Sequence, residues 1–222
     1  MKNYSYIWIS LVVLVFGIYA VPKIINKLKD AEVVENDRLN IANNRELTLI
    51  AKTPSFSFTN QNNQTIANKD YEGKVYLVEF FFTSCPTICP IMNENMVKLQ
   101  NEFRNNPDFA IASITIDPTT DTPQHLKEHA EKIGATMPNW HFLTGEQSAI
   151  FELAKKFNLY AAQNDDAPGG FEHSGMFALI DKKGNIRSRK SEAIDYPIVY
   201  YDGIEEEGIE MLREDIQQLL KE

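Results

Sequence analysis

The sequence predicts an α/β domain built on a mixed central sheet flanked by helices, preceded by an N-terminal transmembrane helix. Three observations carry this reading. Apolar, β-favouring runs at 75–82 and 109–116 each lead into a segment with helical spacing, the order expected of a parallel core. A further strand at 176–180 is followed by the turn Asp181-Lys182-Lys183-Gly184 and a return strand from Ile186, so the sheet is mixed. Finally, residues 6–21 (YIWISLVVLVFGIYAV) form an uncharged apolar run.

That run is slightly short of the roughly 20 residues that cross a bilayer, but Trp8, Tyr19 and Lys23 suit its two interfaces. A cleaved signal peptide has a similar core; here Ala20 would end the cleavage site, and Ile18 is a poor small residue before it. No cysteine follows to carry a lipid. The expectation is an uncleaved anchor over 1–25. Lys2 precedes the span, while Lys23, Lys27 and Lys29 follow it. Taken literally, the positive-inside rule would leave the domain in the cytoplasm. Residues 26–50, rich in Asn and Glu, read as a polar linker to a domain over 51–222.

Within the domain, Phe56-Ser57-Phe58-Thr59 alternates, 60–63 turns, and 64–66 returns as a hairpin. The central strand 75–82 empties into Thr83-Ser84-Cys85-Pro86-Thr87-Ile88-Cys89-Pro90, and a helix runs from Ile91 to Phe103 with Met92, Met96 and Leu99 on one face. The strand 109–116 ends at Asp117-Pro118. Asp121-Thr122-Pro123 opens a second helix, with Asp121 expected as its cap, and Gly134 stops it. Residues 140–145 form a short strand and turn, 146–157 a third helix, and 207–220 a closing amphipathic helix. Residues 163–170 read as a loop, and the stretch 188–208 as a surface excursion. A cysteine pair where the first central strand gives way to a helix makes the pattern thioredoxin-like.

A net charge of −9 and the lack of a basic run with interleaved aromatics argue against nucleic acid. Only two cysteines are present, so stability has to come from a packed core rather than a disulfide framework. Both lie in one C-x-x-x-C motif, in the positive field of a helix N-terminus that favours thiolates. Positions i and i+4 of a helical turn share a face, so Cys85 and Cys89 can chelate one centre. Such a soft pair selects Cu(I), with zinc as competitor.

Four histidines are candidate partners. His125 and His129 share a helix face at i, i+4 but read as solvated among Lys127, Glu128 and Glu131, and His141 reads as a structural strand residue. His173 differs: it lies in Gly169-Gly170-Phe171-Glu172-His173-Ser174-Gly175, leading straight into the strand 176–180. In a thioredoxin-like sheet that approach faces the cysteine loop, where thiol–disulfide enzymes carry a proline; no proline lies between Gly169 and Ile180. Two thiolates and an imidazole suit Cu(I) and Cu(II) alike.

At these residues the chain resembles the Sco/SenC family, membrane-anchored thioredoxin-like proteins of cytochrome c oxidase assembly. The matching pieces are FTSCPTICP (82–90), TIDPTTDTP (115–123), FLTG (142–145) and HSGMFALID (173–181), in matching order and spacing from about Ala51 onward. The resemblance implies that Cys85, Cys89 and His173 ligate copper, and that the copper is destined for cytochrome c oxidase subunit II. It also implies a bacterial inner membrane protein with its domain on the periplasmic side, against the charge count. Asp117 falls in a matching segment and is expected at most to support the ligands.

Two activities remain open. One is a copper chaperone. The other is a thiol–disulfide oxidoreductase in which Cys85 attacks and Cys89 resolves, reducing the target's cysteines before metal enters. A copper donor protein or a thioredoxin-like reductant would be a further partner. A peroxiredoxin-like peroxidase has less support, because no separate peroxidatic motif is present.

Overall fold

The computed structural model describes Val21, Lys23 and residues 47–190 and 197–222. The chain divides into two units, Met1–Arg45 and Glu46–Glu222. In the first, Val21 and Lys23 are helical. The anchor expected over 1–25, those two residues apart, and nearly all of the linker expected over 26–50 lie outside the described residues. Among the described residues no helix is long and apolar enough to cross a membrane.

The second unit is the expected α/β domain. In chain order it contains β1 (Thr48–Lys52), β2 (Ser57–Asn60), β3 (Thr65–Ala67), β4 (Val75–Phe81), α1 (Cys89–Phe103), β5 (Phe109–Thr115), α2 (Pro123–Ile133), β6 (Trp140–Thr144), α3 (Gln147–Phe157), β7 (Ala161–Gln163), β8 (Phe171–His173), β9 (Met176–Ile180), β10 (Asn185–Ser188), β11 (Tyr201–Asp202) and α4 (Glu206–Lys221). The main sheet runs β1-β10-β9-β4-β5-β6-β2-β3, and β11 pairs with β9 beside β10. Strands β4, β5 and β6 are parallel; β9 closes antiparallel on β4, so the sheet is mixed as expected.

All seven residues of β4 and all seven of β5 are buried. Both faces of the sheet's centre are covered, which is why these strands read as continuous apolar runs rather than alternating ones. Met92, Met96, Leu99 and Phe103 are the buried apolar face of α1. Helix α4 contributes Ile209, Leu212, Ile216 and Leu219 to the same core. Gly134 ends α2 at φ 80°, a left-handed position where a side chain would be strained.

Three expectations are corrected. The sheet begins at Thr48, inside the stretch read as linker, because Thr48–Lys52 pairs antiparallel with β10 and Leu47 is buried. The cap of α2 is Thr122, whose side chain accepts from His125 N, and not Asp121. Asp121 is fully buried and accepts instead from Thr83 N at 3.1 Å and from the Thr83 and Thr115 hydroxyls, tying the cysteine loop to the end of β5.

The loop expected at 163–170 is present from 164 to 170, where it connects β7 and β8, a two-stranded ladder that pairs Ala161 with His173. The described part of 188–208, residues 188–190 and 197–208, is not a surface excursion; 191–196 lie outside the described residues. Arg189 is buried and makes a two-pronged contact with Asp215 of α4, at 2.8 Å from Nε and 2.6 Å from Nη2. Tyr201 is also buried and donates to Asp215 Oδ2 at 2.5 Å. These polar groups satisfy one another inside the core, where any of them alone would be costly.

Candidate metal centre

Strand β4 delivers the first sulfur. After Phe81 the chain turns, Cys85 N donating to Phe82 O at 3.3 Å, and Asp121 holds Thr83 from below. Cys85 therefore precedes the helix instead of sharing its first turn. Cys89 opens α1, two residues earlier than the expected start. Both thiols are free and buried.

The imidazole arrives from the far end of the domain. His173 ends β8, and its ring meets Phe82 edge-on at a centroid distance of 5.9 Å; Phe82 also packs on Phe171 at 5.6 Å. Gly169 makes this approach possible. It sits at φ +85°, and a Cβ there would lie 2.8 Å from the Phe82 ring. On the other side, Gly203 N donates to Gly175 O at 2.7 Å, and Asn95 of α1 donates from Nδ2 to Gly203 O at 3.0 Å. The segment after β11 thus clamps the His173 loop to the helix that carries Cys89.

The outcome is a cluster in which the two Sγ atoms and a His173 ring nitrogen all lie within 4.8 Å of one another. Among the described residues no other group of three His, Cys, Asp or Glu side chains is placed to hold a metal ion. His173 Nδ1 lies 3.0 Å from Ser174 O. A carbonyl only accepts, so Nδ1 carries its proton and Nε2 is the nitrogen turned to the sulfurs, 3.0 Å from Cys89 Sγ. Soft sulfurs with one oriented imidazole, screened from water, fit a copper ion bound as cargo.

The two sulfurs are unequal. The Cys89 hydrogen bond holds Cys85 well below the usual thiol range, burial opposing and His173 and Thr87 assisting. The same bond, with deeper burial, pushes the Cys89 thiol up. The hydrogen bond between the sulfurs thus favours the thiolate on Cys85 and the thiol on Cys89.

The remaining candidates lie apart from this cluster. His125 is exposed, its Nε2 3.0 Å from the Thr83 hydroxyl. His129 is half-buried rather than solvated, packed on the Phe81 and Phe142 rings, and burial holds its pKa down to about 4. His141 Nδ1 meets the Tyr71 hydroxyl at 2.9 Å, a satisfied structural histidine. Asp117 accepts from Thr120 N in its own turn.

One residue near the centre escaped the sequence reading. Glu79, on β4 six residues before Cys85, is completely buried. Ser113 Oγ donates to its Oε1 at 2.6 Å, and Trp140 Nε1 donates to Ser113 Oγ, while Oε2 has no partner. Burial raises its pKa to about 7, and its charge contributes to raising Cys89. The signal was present in the sequence: a lone acid within an otherwise apolar strand.

Fold and site together define a thioredoxin-like protein with a buried dithiol–imidazole centre. The chain belongs to the SCO1/SenC family, whose sequence model matches residues 45–202. The SCO1 protein homolog of Bacillus subtilis is 35% identical over 133 residues, covering 59% of this chain and 69% of the relative. The crystal structure of a SCO1/SenC family lipoprotein from Bacillus anthracis strain Ames is similar at TM-score 0.67 and 30% identity, covering 79% of this chain and 98% of that one. BsSco, a member of the Sco family of cytochrome c oxidase assembly proteins in which a disulfide switch was identified, is similar at TM-score 0.65 and 28% identity, with the same coverages.

Proposed function

We propose that the protein is a copper metallochaperone of cytochrome c oxidase assembly, holding copper through Cys85, Cys89 and His173 and delivering it to the copper site of subunit II. The observation that carries this reading is the convergence of two thiols and an oriented imidazole from segments far apart in sequence. When bound, copper supplies an exchangeable soft centre; the chain's part is to present two sulfurs of unequal basicity and to exclude water. Membership of the family supports the oxidase as destination, as does the assembly role named for BsSco. The apolar run at 6–21 supports a single-pass anchor; for a bacterial inner membrane with the domain on the periplasmic face the support is family membership, against the charge count.

The deciding experiment is anaerobic copper titration of the reduced chain beside its His173→Ala variant. One copper per chain, bound more weakly or with an altered spectrum without His173, supports the chaperone. Binding that ignores His173, or is absent while the dithiol reduces model disulfides, overturns it.

A second reading has its own observation. A buried free dithiol with one sulfur held as thiolate is the arrangement of a thiol–disulfide oxidoreductase, and a disulfide switch is named for BsSco. In that role Cys85 attacks and Cys89 resolves, so Cys89→Ser traps a mixed disulfide with the target.

A further inference from the structure

Helices α1 and α2 do not close completely over the sheet. Between them runs a groove of about 440 Å³ whose far end is formed by Thr83, Cys85 and Cys89. Pro90 and Val97 of α1 and Ile133 of α2 give it apolar walls. His173 is not among the residues that line it. The groove therefore reaches both sulfurs from a side the imidazole does not occupy.

Two polar features of the groove lack partners. Asn93 lines it and is 8% exposed, yet its Oδ1 has no donor; only its Nδ2 is engaged, 3.4 Å from His129 Nε2. At the rim, Glu94 is paired with Lys98 at 3.2 Å, whereas Lys132 makes no ion pair among the described residues. From Cys89 to Val97 the wall is about 12 Å long, at the helical rise per residue. That is the length of about four extended residues.

Resting on the proposed sulfur-exchange role, we infer that this groove is the docking channel for an extended, cysteine-bearing segment of the partner protein, with an acidic side chain within about four residues of its cysteine to meet Lys132. A segment there buries apolar side chains on Val97 and Ile133, meets Lys132 with its acidic group, and ends with its sulfur at Cys85 and Cys89. For copper, one Cu–S bond forms as one breaks, the incoming thiol's proton passes to the released thiolate, and no oxidation state changes. Copper so delivered leaves through the groove, on the side of the two sulfurs that His173 does not occupy.

The test isolates docking from the metal. In the full chain carrying Cys89→Ser, the Cys85 thiolate attacks a synthetic peptide whose single cysteine is joined to thionitrobenzoate. A peptide–Cys85 disulfide forms and coloured thionitrobenzoate leaves. One peptide carries Glu two residues from its cysteine, a second Lys. At low salt the Glu peptide should react about tenfold faster than the Lys peptide, and Lys132→Glu should invert that order. Ile133→Glu should slow both peptides, while the rate with the free small disulfide reagent stays unchanged. Equal rates for both peptides in both proteins, or a loss that the small reagent shares, would overturn the inference. Copper titration of the same variants with Cys89 restored tests the metal reading separately; failure there would leave the docking result standing.

Discussion

Cys89 Sγ lies 3.0 Å from His173 Nε2, although 84 residues separate them in the chain. The second sulfur and the imidazole are thus brought together by the sheet, through β4 and β9, and not by any local motif. Replacing His173 with Ala should leave the two sulfurs in place and weaken copper binding by at least about 100-fold, more than loss of an outer partner costs. Competition against a chromophoric chelator measures it.

Copper binding should release fewer than two protons near pH 7, since the Cys89 hydrogen bond favours the Cys85 thiolate before metal arrives. Affinity consequently falls as pH drops, because protons compete for the ligands. Calorimetry in buffers of different ionisation enthalpy counts the protons.

Glu79 gives the domain a pH dependence of its own. Its folded pKa of about 7 stands above the ordinary 4.5, so the native state binds more protons than the unfolded chain between those values. Its own contribution to stability should fall by about 3 kcal/mol as pH rises through this window, opposed by His129, whose pKa, held down to about 4, makes stability rise with pH up to about 6.5. Glu79→Gln should remove that slope, as denaturant unfolding at pH 4.5 and pH 7.5 would reveal; an unchanged slope would dismiss Glu79 as its source.

Gly169→Ala should weaken copper binding while leaving the thiol pair reactive. The new Cβ meets the Phe82 ring and takes a left-handed φ, a cost of about 1–2 kcal/mol before the clash. The loop must lift from Phe82, on which the His173 ring rests.

Asp215→Ala should be among the most damaging substitutions outside the metal centre. It strands the buried Arg189 guanidinium, leaving only Glu214 and the Met211 carbonyl, and removes the Tyr201 acceptor. A loss of about 3–5 kcal/mol is expected in thermal or denaturant unfolding.

Much of this was legible in the sequence because it is written locally. The β2–β3 hairpin shows in its alternation, β4 in an apolar run broken only by Glu79, and the ligands in a small-residue loop and a spaced cysteine pair. What escaped depends on partners distant in the chain. Thr48–Lys52 becomes a strand only because β10 lies beside it. Arg189 looked like surface because nothing nearby revealed Asp215, 26 residues on. Asp121 and Thr122 are both good capping residues, and the choice fell to Thr122 because Thr83 and Thr115, from two other segments, claim the Asp121 carboxylate.

The ladder of β7 and β8 has a consequence for how metal leaves. It holds three residues per strand, five of the six half-buried, outside the main sheet, whereas β4 and α1 are anchored in the deepest core. Local opening is cheapest where few buried contacts must break. His173 therefore hangs on the hinge-like flap of the domain and the sulfurs on its bedrock. The protein can loosen one ligand and surrender its cargo while the rest of the molecule stays folded.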